Sequence, residues 1–239
     1  MMILRPTITI ITVVFNGVNT IEETIKSVLS QTYQSIQYIV LDGGSTDGTV
    51  EILKQYNSCI SFWKSEPDKG IYDAMNKAVS FAAGDYIYFL GSDDVLASQH
   101  SIEKMVAHFK DDRHIYYGNV YFKHRNVLYD GKFDNHKFCL RNISHQAIFY
   151  PIEVFKQFKF DLKYKYLADY VMNLQLKALK YNFTYIDHCV CIYNDEGQSG
   201  VNQDLVFLED RMRLLRQAFP WYIAQYARVR TKLKKLLFE

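Results

Sequence analysis

Two adjacent aspartates, Asp93 and Asp94, follow an apolar run at residues 85–90. Neighbouring carboxylates at the end of a buried strand repel each other and lose solvent together, so they need a compensating cation. Oxygen ligands of this kind bind Mg²⁺ or Mn²⁺, while water and substrate phosphates fill the remaining positions. The pair therefore indicates a divalent-metal site. The alternative is a pair of capping residues for the helix that follows near Ser98.

Polar and glycine residues also follow the first and second apolar runs. The first run ends in Phe15-Asn16-Gly17 and the second in Asp42-Gly43-Gly44-Ser45. A carboxylate in the position of Asp42 can accept hydrogen bonds from a ribose hydroxyl or a base N–H. An Asx turn is the alternative, because Asp-Gly and Ser-Thr-Asp-Gly are ordinary loop sequences.

A helix with many polar residues in its first turns is predicted after Gly70. Lys69 and Gly70 lie in the preceding loop, which can approach a phosphate, and Asp73, Asn76 and Lys77 share one face of the helix by their spacing. The pattern indicates contacts with a phosphorylated ligand. A solvated helix face explains it equally well.

Alternating strands and helices join these polar segments. Residues 7–15 form a β-branched run that is too short and too uniformly apolar for a surface helix, which is typical of a strand buried on both faces. The alternation predicts a mostly parallel sheet with helices on both faces and a ligand site beyond the carboxyl ends of the strands. The predicted strands are 7–15, 36–42, 59–64 and 85–90, and the predicted helices are about 20–31, 47–57 and 71–83.

The second half of the chain is predicted to be α+β. One continuous domain is expected through residue 202, followed by helices over residues 203–239. The elements predicted after Asp94 are a helix at 99–110, aromatic-rich strands around 115–130, a helix at 167–181 and a strand at 184–193.

Composition and charge exclude several classes of protein. The chain has 239 residues, of which 49% are hydrophobic and 23% charged, so it is not disordered, collagenous or disulfide-stapled. A net charge of +2 is too balanced for a protein that binds nucleic acid through its phosphates. The four cysteines, Cys59, Cys139, Cys189 and Cys191, lack zinc-site spacing and are expected to be reduced and buried. No apolar run reaches the roughly 18 residues of a membrane span, so we expect a cytoplasmic protein.

The end of the chain is strongly basic. Residues 211–239 carry eight Lys or Arg and one acid, Glu239, which leaves a net charge of −5 on the preceding residues. The basic residues alternate with apolar and aromatic ones, and Pro220 divides the segment into two helices. Such helices are typical of peripheral contact with an anionic bilayer, here through residues 204–239 at the inner face of the cytoplasmic membrane. The alternative is a helix pair packed on the domain or on another subunit of an oligomer, with Trp221 and Tyr222 as anchors.

Four segments together resemble the inverting family 2 glycosyltransferases. They are TVVFNG at the first strand end, VLDGGSTDGT at the second, EPDKGIYDAMNKA over the third crossover and GDYIYFLGSDD at the fourth strand. These segments are similar to those of the branch that acts in bacterial exopolysaccharide, capsule or O-antigen assembly. A later His-Gln pair and an Asp-Tyr pair are also expected in that branch, and His145-Gln146 and Asp169-Tyr170 match them. The resemblance implies the GT-A fold of nucleotide-diphospho-sugar transferases, an α/β fold with a mostly parallel central sheet flanked by helices. Residues 1–96 would then form the nucleotide-binding half, residues 97–202 the acceptor half, and residues 203–239 a helical extension.

The resemblance also implies a set of site residues. Asp169 matches the catalytic base of the family, and its alternative role is that of an acid at a helix start. Asp93 and Asp94 match the end of the metal-binding Asp-x-Asp cluster, with Gly91 in place of the first carboxylate, and which of the two ligates Mn²⁺ or Mg²⁺ stays open. The implied donor and nucleotide contacts are Phe15, Asn16, Asp42, Gly43, Ser45, Lys69, Asp73, Asn76, Ser92 and Asp93. The expected acceptor or diphosphate contacts are His145, Gln146, Tyr170 and Ser199.

The implied activity is a metal-dependent, inverting transfer of a hexosyl or N-acetylhexosaminyl group. The donor is a nucleotide-diphospho-sugar, most often a UDP-sugar in this family, and the acceptor is a hydroxyl of a glycan or of a polyprenyl-diphosphate-linked glycan in cell-surface polysaccharide synthesis. An ionised Asp169 accepts the proton of that hydroxyl as the new bond forms, without a covalent intermediate. Two alternatives are a sugar-nucleotide nucleotidyltransferase, which expects a glycine-rich basic loop where FNGVNT stands, and a non-catalytic nucleotide-sugar-binding module, which would be expected to lack the base or the metal acids.

Overall fold

The computed structural model of the chain describes residues 5–110, 114–129, 131–195 and 203–238, with side chains described through residue 233. The strands of the described residues are β1 Ile8–Val14, β2 Ile36–Asp42, β3 Phe62–Ser65, β4 Tyr86–Phe89, β5 Val95–Leu96, β6 His114–Phe122, β7 Val127–Tyr129, β8 Ile148–Pro151 and β9 Asn182–Tyr193. Their helices are α1 Ile21–Leu29, α2 Thr49–Gln55, α3 Ile71–Val79, α4 Ser101–Val106, α5 Asn135–Phe138, α6 Ile152–Gln157, α7 Ala168–Ala178, α8 Leu205–Ala218 and α9 Trp221–Phe238.

One sheet runs through both halves of the chain in the order β3-β2-β1-β4-β8-β6-β9-β5, with β7 paired to β6. The first four strands are parallel, as predicted. The second half adds antiparallel pairs, because β8 runs opposite to both of its neighbours, while β6 and β9 are parallel. The short connection from β6 to β7 also requires an antiparallel pair. The parallel half brings the carboxyl ends of β2, β1 and β4 to one edge.

Strand β1 is buried along its whole length, which explains its uniformly apolar sequence. Ile8 and Ile10 face the side of the sheet covered by α1 and α4. Ile11 and Val13 face the other side, where α3 and α7 pack. Because side chains alternate along a strand, a strand between two helix layers needs apolar residues at every position.

Helices α8 and α9 pack on the same core as α3 and α7. The predicted division at Pro220 is confirmed, since α8 ends at Ala218 and α9 begins at Trp221. The residues that anchor α9 are the buried Ile223, Ala224 and Ala227, together with their neighbours in α8. The predicted anchors Trp221 and Tyr222 are instead exposed on the outer side of the helix.

The cysteines are free, as expected, but only some of them are buried. Cys139 and Cys191 lie in the core and Cys189 is partly exposed. Cys59 is exposed, so the expectation of burial was wrong there, because this residue lies in the turn between α2 and β3. Within the described part of the chain, the helices all fall short of the length or the hydropathy that a membrane crossing requires.

Candidate functional site

The loops that follow β1 and β2 are tied to each other at the edge of the sheet. Val14, the last residue of β1, pairs with Asp42, the last residue of β2. Beyond this pair, the Asn16 N–H donates to Ser45 Oγ at 2.7 Å, and Asn16 Oδ1 accepts from the Thr46 N–H at 3.1 Å. Asn16 adopts a left-handed φ of 51°, which asparagine tolerates better than most residues. The two loops therefore form one surface.

Asp42 is buried at the base of this surface and is fully hydrogen-bonded by its own surroundings. Its Oδ2 accepts from the Gly44 N–H at 3.0 Å, the Ser45 N–H at 2.9 Å and Ser65 Oγ at 2.6 Å, and its Oδ1 accepts from Ser45 Oγ. A carboxylate has about four acceptor positions, so these donors fill them. The Asx-turn alternative is thus present in the structure. Direct contact with a nucleotide stays a prediction.

An exposed aromatic ring lies beside Asp42, at a point where the backbone carries no side chain. Phe15 is 64% exposed although it directly follows a buried strand. A Cβ atom at Gly43 would lie 3.3 Å from the Phe15 ring and 2.5 Å from Asp68 Oδ2, so a larger residue does not fit there. Asp68 Oδ1 accepts from the Gly70 N–H at 2.7 Å. A nucleobase can stack on a ring presented in this way.

The start of α3 is organised around Asp73. Asp73 Oδ2 accepts from the Lys69 N–H at 3.0 Å and lies 3.1 Å from Lys77 Nζ. The Lys69 N–H, followed by the Lys77 ammonium, holds the pKa of Asp73 below its usual range. Lys77 Nζ also donates to the Pro67 carbonyl at 3.1 Å. Asp73 and Lys77 therefore fix the loop that presents Lys69, a residue exposed to solvent.

Asn76 and Ser92 each form hydrogen bonds with another segment of the chain. Asn76 Nδ2 donates to the Phe160 carbonyl at 2.8 Å, and Asn76 Oδ1 accepts from the Phe160 N–H at 2.9 Å. Asn76 thus joins α3 to the segment before α7, and its expected donor contact stays a prediction. The Ser92 carbonyl accepts from Thr24 Oγ1 at 3.0 Å, which attaches the loop after β4 to α1.

Asp93 and Asp94 lie in the loop that follows β4 and share few donors. Asp94 is 0% exposed; its Oδ1 accepts from the Asn194 N–H at 2.8 Å and its Oδ2 from Gln146 Nε2 at 3.1 Å. Asp93 is partly exposed, and its Oδ2 accepts from Asn194 Nδ2 at 3.2 Å. Burial raises the pKa of Asp93, and burial together with the charge of Asp93 raises the pKa of Asp94 to about 7. The negative charge of the pair is poorly compensated.

Gly91, which stands in place of the first carboxylate of the cluster, lies directly beneath this pair. A Cβ atom there would overlap Asp94 Oδ2 and lie 3.2 Å from Asp93 Oδ1. Both carboxylates therefore lie over the Gly91 backbone, and a side chain at this position would require the Asp94 carboxylate to move.

Asp169 lies buried in the first turn of α7 and is held by donors from three other segments. Its Oδ2 accepts from Asn142 Nδ2 at 2.8 Å and lies 3.5 Å from His145 Nδ1. Its Oδ1 accepts from the Tyr170 N–H at 2.8 Å and lies 2.9 Å from the Tyr72 hydroxyl oxygen. These contacts fix the orientation of a carboxylate that acts as an acceptor.

The Tyr72 hydroxyl has two acceptors within reach, Asp169 Oδ1 at 2.9 Å and the Tyr166 carbonyl at 3.0 Å. Its single proton favours the carboxylate, because hydrogen bonds to charged acceptors are stronger. Burial, followed by the charge of Asp169, raises the pKa of Tyr72 well above its usual value. Tyr72 therefore remains a donor throughout the neutral pH range.

His145 and Gln146 connect Asp169 with the pair of aspartates. They are consecutive residues in a short 3₁₀ turn, and His145 lies against Asp169 while Gln146 donates to Asp94. The charge of His145 also offsets part of the rise in pKa at Asp93 and Asp94. Consecutive Cα atoms are about 3.8 Å apart, so this short segment links the two acidic groups.

Tyr170 and Ser199 are the remaining expected residues. Tyr170 is buried in the core, where its hydroxyl donates to the Phe138 carbonyl at 2.5 Å and its ring packs near Phe207. It supports α7 from within the core. Ser199 and the loop around it, residues 196–200, lie outside the described residues.

Four residues of the site are not among those expected from the sequence: Asp68, Tyr72, Asn142 and Asn194. Asn194 directly follows β9, so its position as a polar residue at a strand end is the sequence signal for it. Tyr72 and Asp68 belong to the EPDKGIYDAMNKA segment, in which they were not singled out. Asn142 gives no local signal, because only the tertiary fold brings it to Asp169.

Asp93 and Asp94 fit a divalent cation. In the described ranges, no three His, Cys, Asp or Glu side chains meet in a group that could hold a metal by themselves. Two acidic side chains with raised pKa values nevertheless supply the hard oxygen ligands and the negative charge that Mg²⁺ and Mn²⁺ need. The chain thus offers one or two ligands, and diphosphate oxygens and water complete such sites.

Solved structures share the fold of this chain. S. aureus TarS 1-349 in complex with UDP-GlcNAc matches with a TM-score of 0.72 at 15% identity, over 97% of this chain and 76% of that one. The mannosyltransferase PcManGT from Pyrobaculum calidifontis, in complex with GDP-Man and Mn²⁺, matches with a TM-score of 0.70 at 16% identity, over 99% of this chain and 77% of that one. The predicted GT-A fold is confirmed.

Similar sequences and a family model agree with these structures. A PGL/p-HBAD biosynthesis glycosyltransferase of Mycobacterium bovis is 30% identical over 217 residues, which cover 87% of this chain and 84% of that protein. The putative glycosyltransferase EpsE of Bacillus subtilis is 35% identical over 113 residues, which cover 46% of this chain and 40% of that protein. The model of glycosyl transferase family 2 matches residues 9–169, which reach from β1 to Asp169 itself. The chain is therefore a glycosyltransferase and belongs to glycosyl transferase family 2.

Proposed function

We propose that this glycosyltransferase moves a sugar from a nucleotide-diphospho-sugar to a hydroxyl of a glycan or lipid-linked acceptor, with inversion at the anomeric carbon. The observation that carries the proposal is the link between the two acidic groups, in which His145 contacts Asp169 and the next residue, Gln146, donates to Asp94. The transfer takes a proton from the acceptor hydroxyl on one side of the sugar and releases a diphosphate on the other side. It therefore needs a base and a cation site near each other.

The nucleotide binds at the joined exits of β1 and β2. The exposed Phe15 ring stacks on the base, and the absence of a side chain at Gly43 lets the nucleotide approach the backbone. Asn16 and Ser45 hold the two loops together, and Lys69 extends from the fixed loop before α3 toward a phosphate. UDP-GlcNAc and GDP-Man in the two similar structures support a nucleotide-sugar donor, and we propose UDP as the nucleotide.

The diphosphate lies against the exit of β4. Asp93 is the first choice for a metal ligand because it is partly exposed, whereas Asp94 is completely buried and bonded to Asn194 and Gln146. A bound Mn²⁺ or Mg²⁺ would neutralise the departing diphosphate there. Asp94 then acts through its neighbours, by fixing the positions of Asn194 and Gln146 on either side of Asp93.

Asp169 acts as the general base. As the acceptor oxygen bonds to the anomeric carbon, its proton passes to the Asp169 carboxylate and the bond from the anomeric carbon to the diphosphate breaks. Tyr72 and Asn142 hold the carboxylate in place, and His145 lies beside it on the side of the diphosphate. The oxygen attacks opposite the leaving group, so an α-linked donor yields a β-linked product.

We propose that the acceptor is a glycan or a polyprenyl-diphosphate-linked glycan in the synthesis of a cell-surface polysaccharide. Enzymes that use such a lipid-linked acceptor meet it at the cytoplasmic face of the membrane. The basic residues of the segment 204–239 support a peripheral contact of this kind.

Binding and product analysis test the proposed function. Purified protein is heated with UDP, GDP or dTDP, with and without Mn²⁺, because a ligand that binds only the folded state raises the melting temperature. One nucleoside diphosphate should raise it most, and more so with Mn²⁺. The sugar derivatives of that nucleotide are then tested as donors, and the anomeric configuration of the product is read by NMR. If none of the nucleotides raises the melting temperature, or if the product retains the donor configuration, the proposal is wrong.

A further inference from the structure

Helix α9 packs on the domain through only one of its faces. Ile223, Ala224 and Ala227 are buried against the core, and Thr231 continues the same face one turn later. This spacing accounts for an ordinary amphipathic helix at the edge of a domain.

A second apolar face lies on the opposite side of α9. Tyr222, Tyr226, Val229 and Leu233 follow one another at intervals of four, three and four residues, so they form one stripe along the helix. Each of the four is between 36% and 55% exposed. We call this stripe the outer face of α9. In a helix that only covers a domain, these positions would be polar.

Basic residues flank the outer face on both sides. On a helical projection, Arg230 lies along one edge of the stripe, and Arg228 and Lys232 lie along the other. The chain has no Asp or Glu between Asp210 and Glu239, so no acidic side chain of α9 offsets these charges. Apolar and aromatic residues between two rows of positive charge are the pattern of a helix that lies at a lipid–water interface.

Contacts with the body of the protein fix the direction of the outer face. Arg211 of α8 donates to Thr231 Oγ1 at 2.7 Å and to the Cys139 carbonyl at 3.3 Å. The ring of Tyr226, at the margin of the outer face, meets the ring of His136 of α5 edge-on, with centroids 5.0 Å apart. The helix therefore presents its outer face in one orientation relative to the rest of the domain.

We propose that the outer face of α9 docks on an anionic lipid bilayer. A second copy of the chain is a poorer occupant, because two such faces would bring rows of Arg and Lys against each other. Anionic headgroups complement these charges, and tyrosine side chains are favoured at the depth of the headgroups. This docking does not depend on the transfer chemistry.

If the proposed function holds, docking through α9 would bring the general base to an acceptor carried by a membrane lipid. His136, which touches Tyr226, precedes Asn142 by six residues, and Asn142 holds the carboxylate of Asp169. Six residues of chain span at most about 20 Å, which is the upper limit on the distance between the His136 contact and Asn142. An acceptor carried by a membrane lipid would then reach Asp169 without leaving the surface.

Co-sedimentation with vesicles tests the docking. The full chain is mixed with vesicles of phosphatidylcholine alone or with phosphatidylglycerol added, and the bound fraction is measured. The wild type should bind at least tenfold more tightly to the anionic vesicles, and the triple variant Y222S/V229S/L233S should lose at least tenfold of that affinity. The variant V127S/L128S is the matched control, because it removes two equally exposed apolar residues of β7. It should bind like the wild type.

Charge variants separate the bilayer from the other occupants. Each basic residue near an anionic surface strengthens binding about fivefold, so R228Q/R230Q/K232Q should bind about 100-fold more weakly. The inference is overturned if the wild type does not bind anionic vesicles, or if the outer-face and control variants bind equally well. It is also overturned if the outer-face variant abolishes a dimer seen by analytical ultracentrifugation while vesicle binding persists. Nucleotide binding, measured by the melting temperature on the same variants, reports separately on the proposed function.

Discussion

Buried acidic residues lie at the carboxyl ends of both β2 and β4, but the two places differ in how many hydrogen bonds each carboxylate accepts. At the exit of β2, four hydrogen bonds from its own surroundings converge on the single carboxylate of Asp42. At the exit of β4, Asp93 and Asp94 lie side by side and share three hydrogen bonds from Asn194 and Gln146 within the described residues. The hydrogen bonds at Asp42 fix the turn that follows β2, whereas the two neighbouring carboxylates after β4 carry a charge that a cation can compensate.

The largest effect is expected at Asp169, which is linked to the Asp93–Asp94 pair through His145 and Gln146. Asp169→Asn keeps the shape of the side chain but removes the proton acceptor, so the kcat for transfer should fall by about 10³-fold. Nucleotide binding should stay within a few-fold of the wild type. The matched control is Asp161→Asn, which changes an exposed acid in the segment before α7. A variant at Asp169 that transfers sugar at the normal rate would exclude this residue as the base.

The next largest effect is a pH dependence of the free energy of unfolding, caused by the Asp93–Asp94 pair. The pKa of Asp94 is raised from 3.8 to about 7, so between these values the folded protein binds a proton that the unfolded chain releases. The free energy of unfolding of the cation-free protein should therefore fall as the pH rises through this window. Three pKa units correspond to about 4 kcal/mol at most. Calorimetric melting at pH 5 and pH 8 covers about two of these units, so the expected loss between them is about 3 kcal/mol at most. Mn²⁺ with UDP should stabilise the protein more at pH 8. Asp94→Asn should reduce the dependence to the part that Asp93 contributes, and a dependence that persists in full in that variant would assign it to another group.

A smaller effect, on stability and not on cation binding, is expected at the carboxyl end of β2. Asp42→Asn places an amide nitrogen among donors that need an acceptor, so the free energy of unfolding should fall by about 1–3 kcal/mol. The response of the melting temperature to Mn²⁺ should remain. Glu51→Gln, an exposed acid of α2, serves as the control in urea denaturation. If Asp42→Asn leaves stability unchanged but weakens nucleotide binding tenfold or more, Asp42 contacts the nucleotide directly and is not confined to its loop.

The smallest effect is expected where the base is positioned. Tyr72→Phe removes the hydroxyl beside Asp169 Oδ1 but leaves Asn142 in place, so kcat should fall by about three- to tenfold with the KM for the donor unchanged. Steady-state kinetics separate the two constants. An equal rise in KM would place Tyr72 in donor binding and not in the positioning of the base.

The first half of the fold could be predicted well from the sequence. Apolar runs such as residues 7–15 and the helical spacing between them are local signals, and their alternation predicts a parallel sheet. The second half was predicted less completely, because β5, β8, α5 and α6 are short elements of two to six residues. Elements of this length take their conformation from tertiary contacts and not from periodicity.

The site shows the same division between local and tertiary signals. Asp93 and Asp94 are visible in the sequence because adjacent carboxylates after a buried strand are unusual. Asn142 and Asn194 are ordinary residues in the sequence, and only the fold places them on Asp169 and on the pair. The reverse holds for Tyr170, which looks like a site residue beside Asp169 but points into the core.

The claim that the exit of β4 holds the cation and the diphosphate is tested most directly by calorimetric titration of UDP with and without Mn²⁺. For the wild type and Asp42→Asn, Mn²⁺ should strengthen UDP binding by tenfold or more. Asp93→Asn should bind UDP equally weakly with and without Mn²⁺, because it lacks the partly exposed carboxylate. If Asp93→Asn keeps the full response to Mn²⁺, the cation is not bound at this exit and the comparison between the two exits fails.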